Sequence, residues 1–385
     1  MERANNQVGI VGGYGHKNCC GCTACIDVCP KHCLKMVADS QGFLYPIMSN
    51  EKRCIDCGLC SKICPTLHPF EKKPLLGTFA AYSDDINRMK CSSGGVGTLL
   101  AKAVIKRGGV VFGARFDSQW NVIIDSIDKL EELFLFAGSK YVQAESEGIY
   151  ARVLSFLKEG KMVLFTGLSC QVSGLLHFLR HDYENLITVG CICHSVPSPK
   201  VWRKFLHENC DEGEIQYFSF RDKTLGWQNY SFKVEYKNGN ESFLLGKSVY
   251  MRAMLENLST RPSCSLCKMK AGKSHADIEL GDCWGAEKIC PDMYDDKGLN
   301  VLQVYSEKGR KLIDALPIHI KQIDVKEVLN YNQGLKGATN LHSRQKLFFI
   351  LLRYFTMETV LSLCVSVSKK SFLKKMFQLK LSIKK

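Results

Sequence analysis

The sequence predicts an α/β protein with a small cysteine-rich α+β region at its N-terminal end and a helical, basic C-terminal end. Three observations lead to this prediction. Two cysteine runs of identical spacing fill residues 19–65, strands alternate with amphipathic helices between residues 78 and 192, and Lys and Arg are concentrated in residues 341–385. At 385 residues, 45% of them hydrophobic, the chain is long enough for two or three globular domains.

Cysteine is the anomaly of the composition, with 20 residues. Disulfide-dense secreted domains are usually small, and the first residues lack the apolar core of a secretory signal. We therefore expect a cytoplasmic protein whose thiols stay reduced, many of them as metal ligands.

The formal net charge is +14, and most of it lies in residues 341–385, where Glu358 is the single acid. A nucleic-acid-binding protein should carry its basic residues among aromatics on a folded face, so we expect no nucleic-acid partner. The apolar stretch before the basic end contains Arg353 and Glu358, and Arg costs about 2.5–3.5 kcal/mol near a bilayer centre. We expect helices docked on the protein or a partner. The basic end either contacts an anionic membrane surface or a partner, or is simply solvated.

The N-terminal cysteines form two runs of the type Cys-x-x-Cys-x-x-Cys-x-x-x-Cys-Pro, the spacing of bacterial ferredoxins with two [4Fe–4S] clusters. Three thiolates on a tight loop take three corners of a cubane, and the fourth corner comes from the other run. We assign Cys19, Cys22, Cys25 and Cys64 to one cluster and Cys54, Cys57, Cys60 and Cys29 to the other. A pair of structural zinc sites is the alternative, but it would not need the Cys-Pro ends. Cys20 and Cys33 lie off the pattern and are interpreted as spare thiols.

A second region begins after Pro74 with a short strand at 78–82. The loop Ser92-Ser93-Gly94-Gly95 then opens a helix, and a strand follows at 110–116. Glycines let the backbone approach a ligand, and the free N–H groups of a first helical turn bind phosphate, such as that of a flavin. An ordinary helix cap explains the same residues, and the loop taken alone favours that interpretation.

The strand and helix pattern recurs at 149–192 and predicts a parallel α/β sheet. Cys170 and Cys193 each follow the end of a strand, at the edge where open α/β sheets bind ligands. Cys264 and Cys267 form a Cys-x-x-Cys pair that lacks two further ligands. If the two strands are neighbours, these sulfurs can meet, and we predict a third cluster held by Cys170, Cys193, Cys264 and Cys267. Two alternatives stay open: Cys283 replaces one of the four, or Cys170 is a redox-active thiol.

The last third contains an antiparallel section near residues 215–245, with Asn238-Gly239 as a hairpin turn. A helix around 248–258 leads to the Cys264 pair. A strand within 276–285 places Asp282 and Trp284 beside the predicted third cluster.

Several motifs occur in a specific order after the two cysteine runs: "SSGG" (92–95), "KYVQ" (140–143), "TGLSCQVSGL" (166–175), "CHSVPSP" (193–199), "RPSCSLC" (261–267) and "ADIELGDCWG" (276–285). From about residue 15 to residue 325 the chain resembles the coenzyme F420 hydrogenase/dehydrogenase β subunit family, fused to a ferredoxin domain. The family usually has "TPCQ", "CHGVPSP" and "GDFWG", and these departures weaken any statement about the substrate.

The resemblance implies a flavoprotein in which FAD exchanges single electrons with clusters and hydride with a substrate. It implies that Ser92, Ser93, Gly94 and Gly95 face the flavin phosphates. It further implies that Lys140, Gln171 and Asp282 lie near the flavin ring.

We therefore expect a two-[4Fe–4S] ferredoxin domain at 1–70, a flavin and iron–sulfur domain at 75–325, and a helical basic tail at 326–385. The expected function is that of an iron–sulfur flavoenzyme that exchanges electrons with a donor or acceptor protein. Its hydride substrate would be an F420-like deazaflavin or another organic molecule. The alternative is an electron-transfer subunit that docks a separate catalytic partner; a structural or sensing protein is less favoured. No residue is a convincing acid–base catalyst, so the catalytic residues stay unassigned.

Overall fold

The computed structural model describes residues 17–84, 86–244 and 248–365. The strands are β1 (Leu34–Ala38), β2 (Leu44–Met48), β3 (Gly77–Ser83), β4 (Val110–Phe116), β5 (Val122–Ile127), β6 (Val163–Leu168), β7 (Leu186–Cys191), β8 (Ile215–Asp222), β9 (Ser231–Tyr236), β10 (Gly239–Leu244), β11 (Ile278–Asp282), β12 (Asn300–Val304) and β13 (Ile318–Gln322). The α-helices are α1 (Ala24–Asp27), α2 (Leu59–Lys62), α3 (Val96–Ile105), α4 (Leu133–Phe136), α5 (Ile149–Lys158), α6 (Ser169–Leu179), α7 (Pro199–Asn209), α8 (Val249–Leu255), α9 (Ala286–Ile289), α10 (Glu307–Asp314), α11 (Val325–Tyr331), α12 (Gln333–Lys336), α13 (Gln345–Leu351) and α14 (Met357–Cys364).

The largest sheet has eight strands in the order β13-β3-β12-β11-β7-β6-β4-β5. Its four central strands, from β11 to β4, run parallel, and the flanking pairs are antiparallel. The predicted parallel sheet is thus right at the centre, and the whole sheet is mixed. Strand β3, which precedes the Ser-Ser-Gly-Gly loop, is not next to β4. It pairs with β12 and β13 near the opposite edge of the sheet.

Strands β6 and β7 are adjacent and parallel, with Leu168 paired to Cys191 at their C-terminal ends. This is the arrangement on which the predicted meeting of Cys170 and Cys193 depends. Both strands are almost wholly buried, as expected for the covered centre of an α/β sheet.

A separate antiparallel sheet has the order β10-β9-β8. Tyr236 pairs with Gly239, so Lys237 and Asn238 form the hairpin turn. The sequence placed the turn one residue later, because Asn-Gly is the usual two-residue signal. Residues of β8 and β9 pack with α7 and α8 in an aromatic core around Trp202.

The cysteine-rich region contains the antiparallel hairpin β1–β2 with α1 and α2 beside it. Phe43 and Tyr45 at β2 are buried in the same core as α7 and α13, and the Phe43 ring meets Phe349 with centroids 6.1 Å apart. On the other side, the Asp27 carboxylate accepts hydrogen bonds from the backbone N–H groups of Gly148 and Tyr150. The region is therefore packed against the rest of the protein on two sides.

The apolar stretch near the C-terminal end forms two short helices, α13 and α14, which pack on each other. Helix α14 also packs against α7 and α8, and buried residues of both helices belong to the same core. Thr356 caps α14 by accepting a hydrogen bond from the N–H of Thr359. Within the described ranges, no helix is both long and apolar enough to cross a membrane. The basic end, 366–385, lies outside the described residues.

Candidate metal centres

The first cysteine set, Cys19, Cys22, Cys25 and Cys64, lines one cavity, which we call the inner site. The loop carries Gly21 and Thr23 in the left-handed region, with φ of 73° and 65°. These two residues turn the backbone on either side of Cys22. Burial raises the pKa of Cys19 to about 11, so iron would have to displace the thiol protons as it binds.

The second set, Cys29, Cys54, Cys57 and Cys60, lines a more open cavity, which we call the outer site. Its loop repeats the backbone of the first, since Asp56 and Gly58 flank Cys57 in the left-handed region with φ of 48° and 67°. Cys60 also lines the inner cavity, so the two sites adjoin.

A further cavity, which we call the third site, is lined by Cys170, Cys193, Cys264 and Cys267. Cys170 is the second residue of α6, and Cys264 lies in a 3-10 turn that begins at Pro262. Burial raises the pKa of Cys264 to about 11 and that of Cys193 further still. Four soft sulfur donors around one cavity suit a [4Fe–4S] cluster.

Among the described residues, no group of three or more His, Cys, Asp or Glu side chains is arranged to hold one metal ion. Cys283, the sequence alternative for the third site, is buried elsewhere, where its thiol contacts that of Cys290. It does not line the third cavity.

The Cys20 thiol makes contacts that the sequence did not predict. Its thiol contacts the thiols of Cys22 and Cys170, and it accepts a 3.8 Å hydrogen bond from Thr66. These contacts lower the pKa of Cys20 and raise that of Cys170. Asn18, Cys20 and Thr66 each line both the inner and the third cavity. The interpretation of Cys20 as a spare thiol therefore misses that it forms part of the wall between two sites.

The Ser92–Gly95 loop is held tightly by the protein itself. The Ser93 hydroxyl donates to the carbonyl of Leu299, and the Ser92 hydroxyl accepts from the N–H of Ser139. A Cβ on Gly94 would lie 2.6 Å from the carbonyl oxygen of Ala81, which explains the glycine by packing. Lys223 fixes the loop further, because its ammonium donates to the carbonyl of Ser93.

The other residues implied at a flavin ring are engaged within the protein. The partly buried Lys140 ammonium donates to the carbonyls of Leu135 and Ala137, and burial lowers its pKa to about 7. The Gln171 side chain accepts from the N–H of Leu168. Lys140 and Gln171 thus face backbone groups of their own chain.

Asp282 forms an ion pair with the buried Arg221, with 3.1 Å between Asp282 Oδ2 and Arg221 Nη1. Arg221 also donates to the Tyr141 hydroxyl and lies against the rings of Tyr230 and Trp284. Its Nε has no hydrogen-bond partner within the described chain. An orphaned donor among aromatic rings is suited to a polar, planar ligand. Sequence reasoning missed Arg221 because it lies in the antiparallel section, 61 residues from Asp282.

These features define the protein as an iron–sulfur protein of mixed α/β architecture with a ferredoxin-like N-terminal region. Residues 160–328 match the family model for the C-terminal part of the coenzyme F420 hydrogenase/dehydrogenase beta subunit, and residues 18–68 match that of the 4Fe-4S dicluster domain. Residues 160–328 thus correspond to the C-terminal part of this β subunit family, and a dicluster domain lies at the N-terminal end, as the motif order predicts. The protein is an iron–sulfur electron-transfer protein of an oxidoreductase family.

One similar solved structure is that of the xenon-derivatised F420-reducing [NiFe] hydrogenase complex from Methanosarcina barkeri. The likeness has a TM-score of 0.46 and 18% sequence identity, and it covers 71% of this chain and 97% of that chain. A search of curated proteins found no match.

Proposed function

We propose that the protein is an iron–sulfur flavoenzyme that passes electrons between three [4Fe–4S] clusters and a hydride-exchanging substrate. The dicluster domain supplies the inner and outer clusters, and Cys170, Cys193, Cys264 and Cys267 hold the third. The substrate is a deazaflavin like F420 or another reducible organic molecule, with FAD between it and the third cluster.

The serial arrangement of the three cavities is the observation that carries this proposal. Cys60 lines both the outer and the inner cavity, and Cys20 lines both the inner and the third. Electrons can therefore pass from the surface to the end of the parallel sheet through adjoining sites. A carrier that only exchanged electrons at its surface would not need a third sulfur site at the sheet edge.

The flavin part of the proposal rests on the surroundings of Arg221 and on the Ser92–Gly95 loop. A bound FAD would exchange single electrons with a cluster and hydride with a substrate. Ser92 and the glycines would hold its phosphates, and Asp282 would orient Arg221, whose free Nε would bind the ring or the ribityl chain. Lys140 and Gln171 would contribute by fixing the loop 135–142 and the start of α6.

The same proposal covers the organisation of the chain. We assign residues 1–70 to the dicluster domain, 75–325 to the flavin and iron–sulfur domain, and 326–385 to a helical tail with a basic end. The external electron carrier is a protein that reaches the outer site in the cytoplasm. The basic end is a candidate contact for a partner or an anionic membrane surface.

Anaerobic purification of the full chain with iron, sulfide and flavin analysis tests the proposal. We expect about twelve irons and one flavin per chain. About eight irons without flavin would contradict it and support the alternative of a non-catalytic subunit. Reduced F420 or a nicotinamide added to the oxidised protein should bleach the flavin absorbance, and the one that does so identifies the hydride donor.

Cys264→Ser tests the ligand set of the third site. It should remove about four irons and leave the two N-terminal clusters. Cys290→Ser is the matched control, because this buried thiol contacts Cys283 away from all three cavities. Loss of all three clusters in Cys264→Ser, with a normal Cys290→Ser protein, would show that the assignment is wrong.

A further inference from the structure

Arg261 is a fully buried cation at the junction of the inner and third sites. Its side chain has no exposed surface, and it donates to Cys19 O at 2.8 Å, Leu44 O at 2.9 Å and Gln143 Oε1 at 3.0 Å. The guanidinium also lies 4.1 Å from the centre of the Tyr45 ring. Every one of these partners is electrically neutral.

The absence of a carboxylate partner distinguishes Arg261 from the other buried arginines. Arg88 pairs with Asp295 at 2.8 Å and Arg221 with Asp282 at 3.1 Å. Across the described ranges of the chain, no ion pair involves Arg261. A buried charge without an opposite charge costs several kcal/mol, so a counter-charge is expected nearby.

The surrounding residues indicate what the counter-charge is. Arg261 lines the third cavity, and its carbonyl accepts a hydrogen bond from the N–H of Cys264. Its guanidinium binds the carbonyl of Cys19, whose thiol lines the inner cavity. A [4Fe–4S] cluster held by four thiolates has a net negative charge, and it gains one more on reduction. The residues that would hold two such clusters thus both contact Arg261.

We propose that Arg261 is the shared counter-charge of the inner and third clusters and raises the reduction potential of both. The reduced cluster carries the larger negative charge, so a nearby cation stabilises the reduced state. The part that concerns the third cluster rests on the proposed function. The part that concerns the inner cluster rests only on the dicluster domain. Arg261 acts here as a positioning and charge-setting residue.

Redox titration of the full, anaerobically purified protein, followed by electron paramagnetic resonance, tests this role in Arg261→Gln and Arg261→Lys. In Arg261→Gln, the reduction potentials of the inner and third clusters should each fall by about 59 mV. At a fixed potential, this lowers the ratio of reduced to oxidised cluster on the order of tenfold. Arg261→Lys keeps the charge and should retain most of the wild-type potentials. The outer cluster, identified by its loss in Cys57→Ser, should change least.

Arg88→Gln is the matched control, since it removes a buried arginine that has its own carboxylate, Asp295. It should leave the potentials of the inner and outer clusters unchanged. Equal falls in Arg261→Lys and Arg261→Gln would overturn the proposal, because charge would then not be the cause. A shift of the outer cluster as large as that of the inner cluster would overturn it as well.

Gln143→Glu keeps the test decisive if Arg261→Gln fails to assemble its clusters. Gln143 Oε1 already accepts from Arg261 Nη1, so the near-isosteric glutamate preserves this hydrogen bond and neutralises the cation. We expect both potentials to fall as in Arg261→Gln, and unchanged potentials would refute the proposal. Iron analysis separates the proposed three-cluster function from the proposed role of Arg261. If the protein binds only about eight irons, the third cluster does not exist and the proposed function fails. A fall in the reduction potential of the inner cluster in Arg261→Gln would still support the role of Arg261.

Discussion

The inner and outer sites have nearly the same loop backbone but opposite surroundings. Gly21 and Asp56 precede the second cysteine of each loop, and Thr23 and Gly58 follow it, all four in the left-handed region. Yet Cys22 is 8% exposed and packs with α5 and α6, whereas Cys57 is exposed and its neighbour Ile55 is 58% exposed. The local motif thus determines the ligand geometry, and the packing around it determines which site faces solvent.

We expect this difference to give the two sites different roles in electron transfer. The outer site lies where a partner protein can approach, with Met48 and Ile55 exposed beside its cavity. The inner site lies between the outer site and the third site and is shielded by the rest of the protein. We therefore expect electrons to enter or leave at the outer site and to cross the inner site.

Replacing an inner ligand should have the largest effect on electron transfer. Cys25→Ser should remove about four irons and disconnect the outer cluster from the third. The rate at which a reduced protein carrier reduces the third cluster should fall to the background measured with Cys264→Ser. Stopped-flow reduction followed by rapid-freeze electron paramagnetic resonance measures this rate. Retained electron transfer in Cys25→Ser would contradict the serial arrangement.

Replacing an outer ligand should be easier for the protein to tolerate. Cys57→Ser should also lose about four irons, but the inner and third clusters should remain, because the Cys57 side chain is exposed. Iron analysis, with anaerobic urea unfolding, compares the two variants. If Cys57→Ser lowers the free energy of unfolding as much as Cys25→Ser, the two sites do not differ in their contribution to the core.

The eight N-terminal cysteines could be grouped from the sequence because their ligand spacing is local. The third set could be grouped because strand ends in a parallel sheet share an edge, as the β6–β7 pairing shows. The positions of Cys20 and Arg261 could not be predicted in this way. Each has its main contacts with residues far along the chain, such as Cys20 with Cys170 and Arg261 with Cys19. Spacing and periodicity do not report such contacts.

The sheet order shows the same limit. Short apolar runs predicted β3 and β4 correctly as strands, but not that β12, β11, β7 and β6 lie between them. Likewise, the glycine pattern at 92–95 suggested close approach of a ligand. The backbone that actually lies close to Gly94 is that of Ala81 and Asn300.

Gly174 on α6 provides a smaller test of how tightly the inner site is packed. A Cβ at this position would lie 2.9 Å from Cys22 Sγ and 2.9 Å from the Tyr150 hydroxyl. Alanine favours a helix over glycine by up to about 1 kcal/mol, but overpacking a core costs about 1–3 kcal/mol. We expect Gly174→Ala to lower the free energy of unfolding by about 1 kcal/mol and to make the inner cluster lose iron faster.

Gly213→Ala is the control for this prediction, because its Cβ would meet nothing closer than 3.9 Å. Anaerobic urea unfolding and the rate of iron release to a chelator measure the two effects. An inner cluster as stable in Gly174→Ala as in Gly213→Ala would show that α6 can move away from Cys22.

The inner and outer sites should also differ in the pH dependence of cluster assembly, and this is the smallest effect that we expect. Burial raises the pKa of Cys19 to about 11 and that of Cys25 well above its ordinary value. At the outer site, burial tends to raise the pKa of Cys29, but the N–H groups of Cys33 and Lys31 outweigh it and lower the pKa. Burial raises the pKa of Cys60 as well, so the outer site should still respond to pH, but less steeply.

Iron binds the thiolate, so each ligand must lose its proton during assembly. At a pH below the pKa of a cysteine, its thiolate fraction rises about tenfold for each pH unit. At a pH above the pKa, the thiolate fraction rises little further. Between pH 7 and 9, reconstitution should therefore accelerate more steeply at the inner site. Cys57→Ser/Cys264→Ser keeps only the inner site and Cys25→Ser/Cys264→Ser only the outer, so the rate of cluster absorbance in each reports one site. If the assembly rate rises equally with pH at both sites, burial does not raise the pKa of the inner thiols in the protein without clusters.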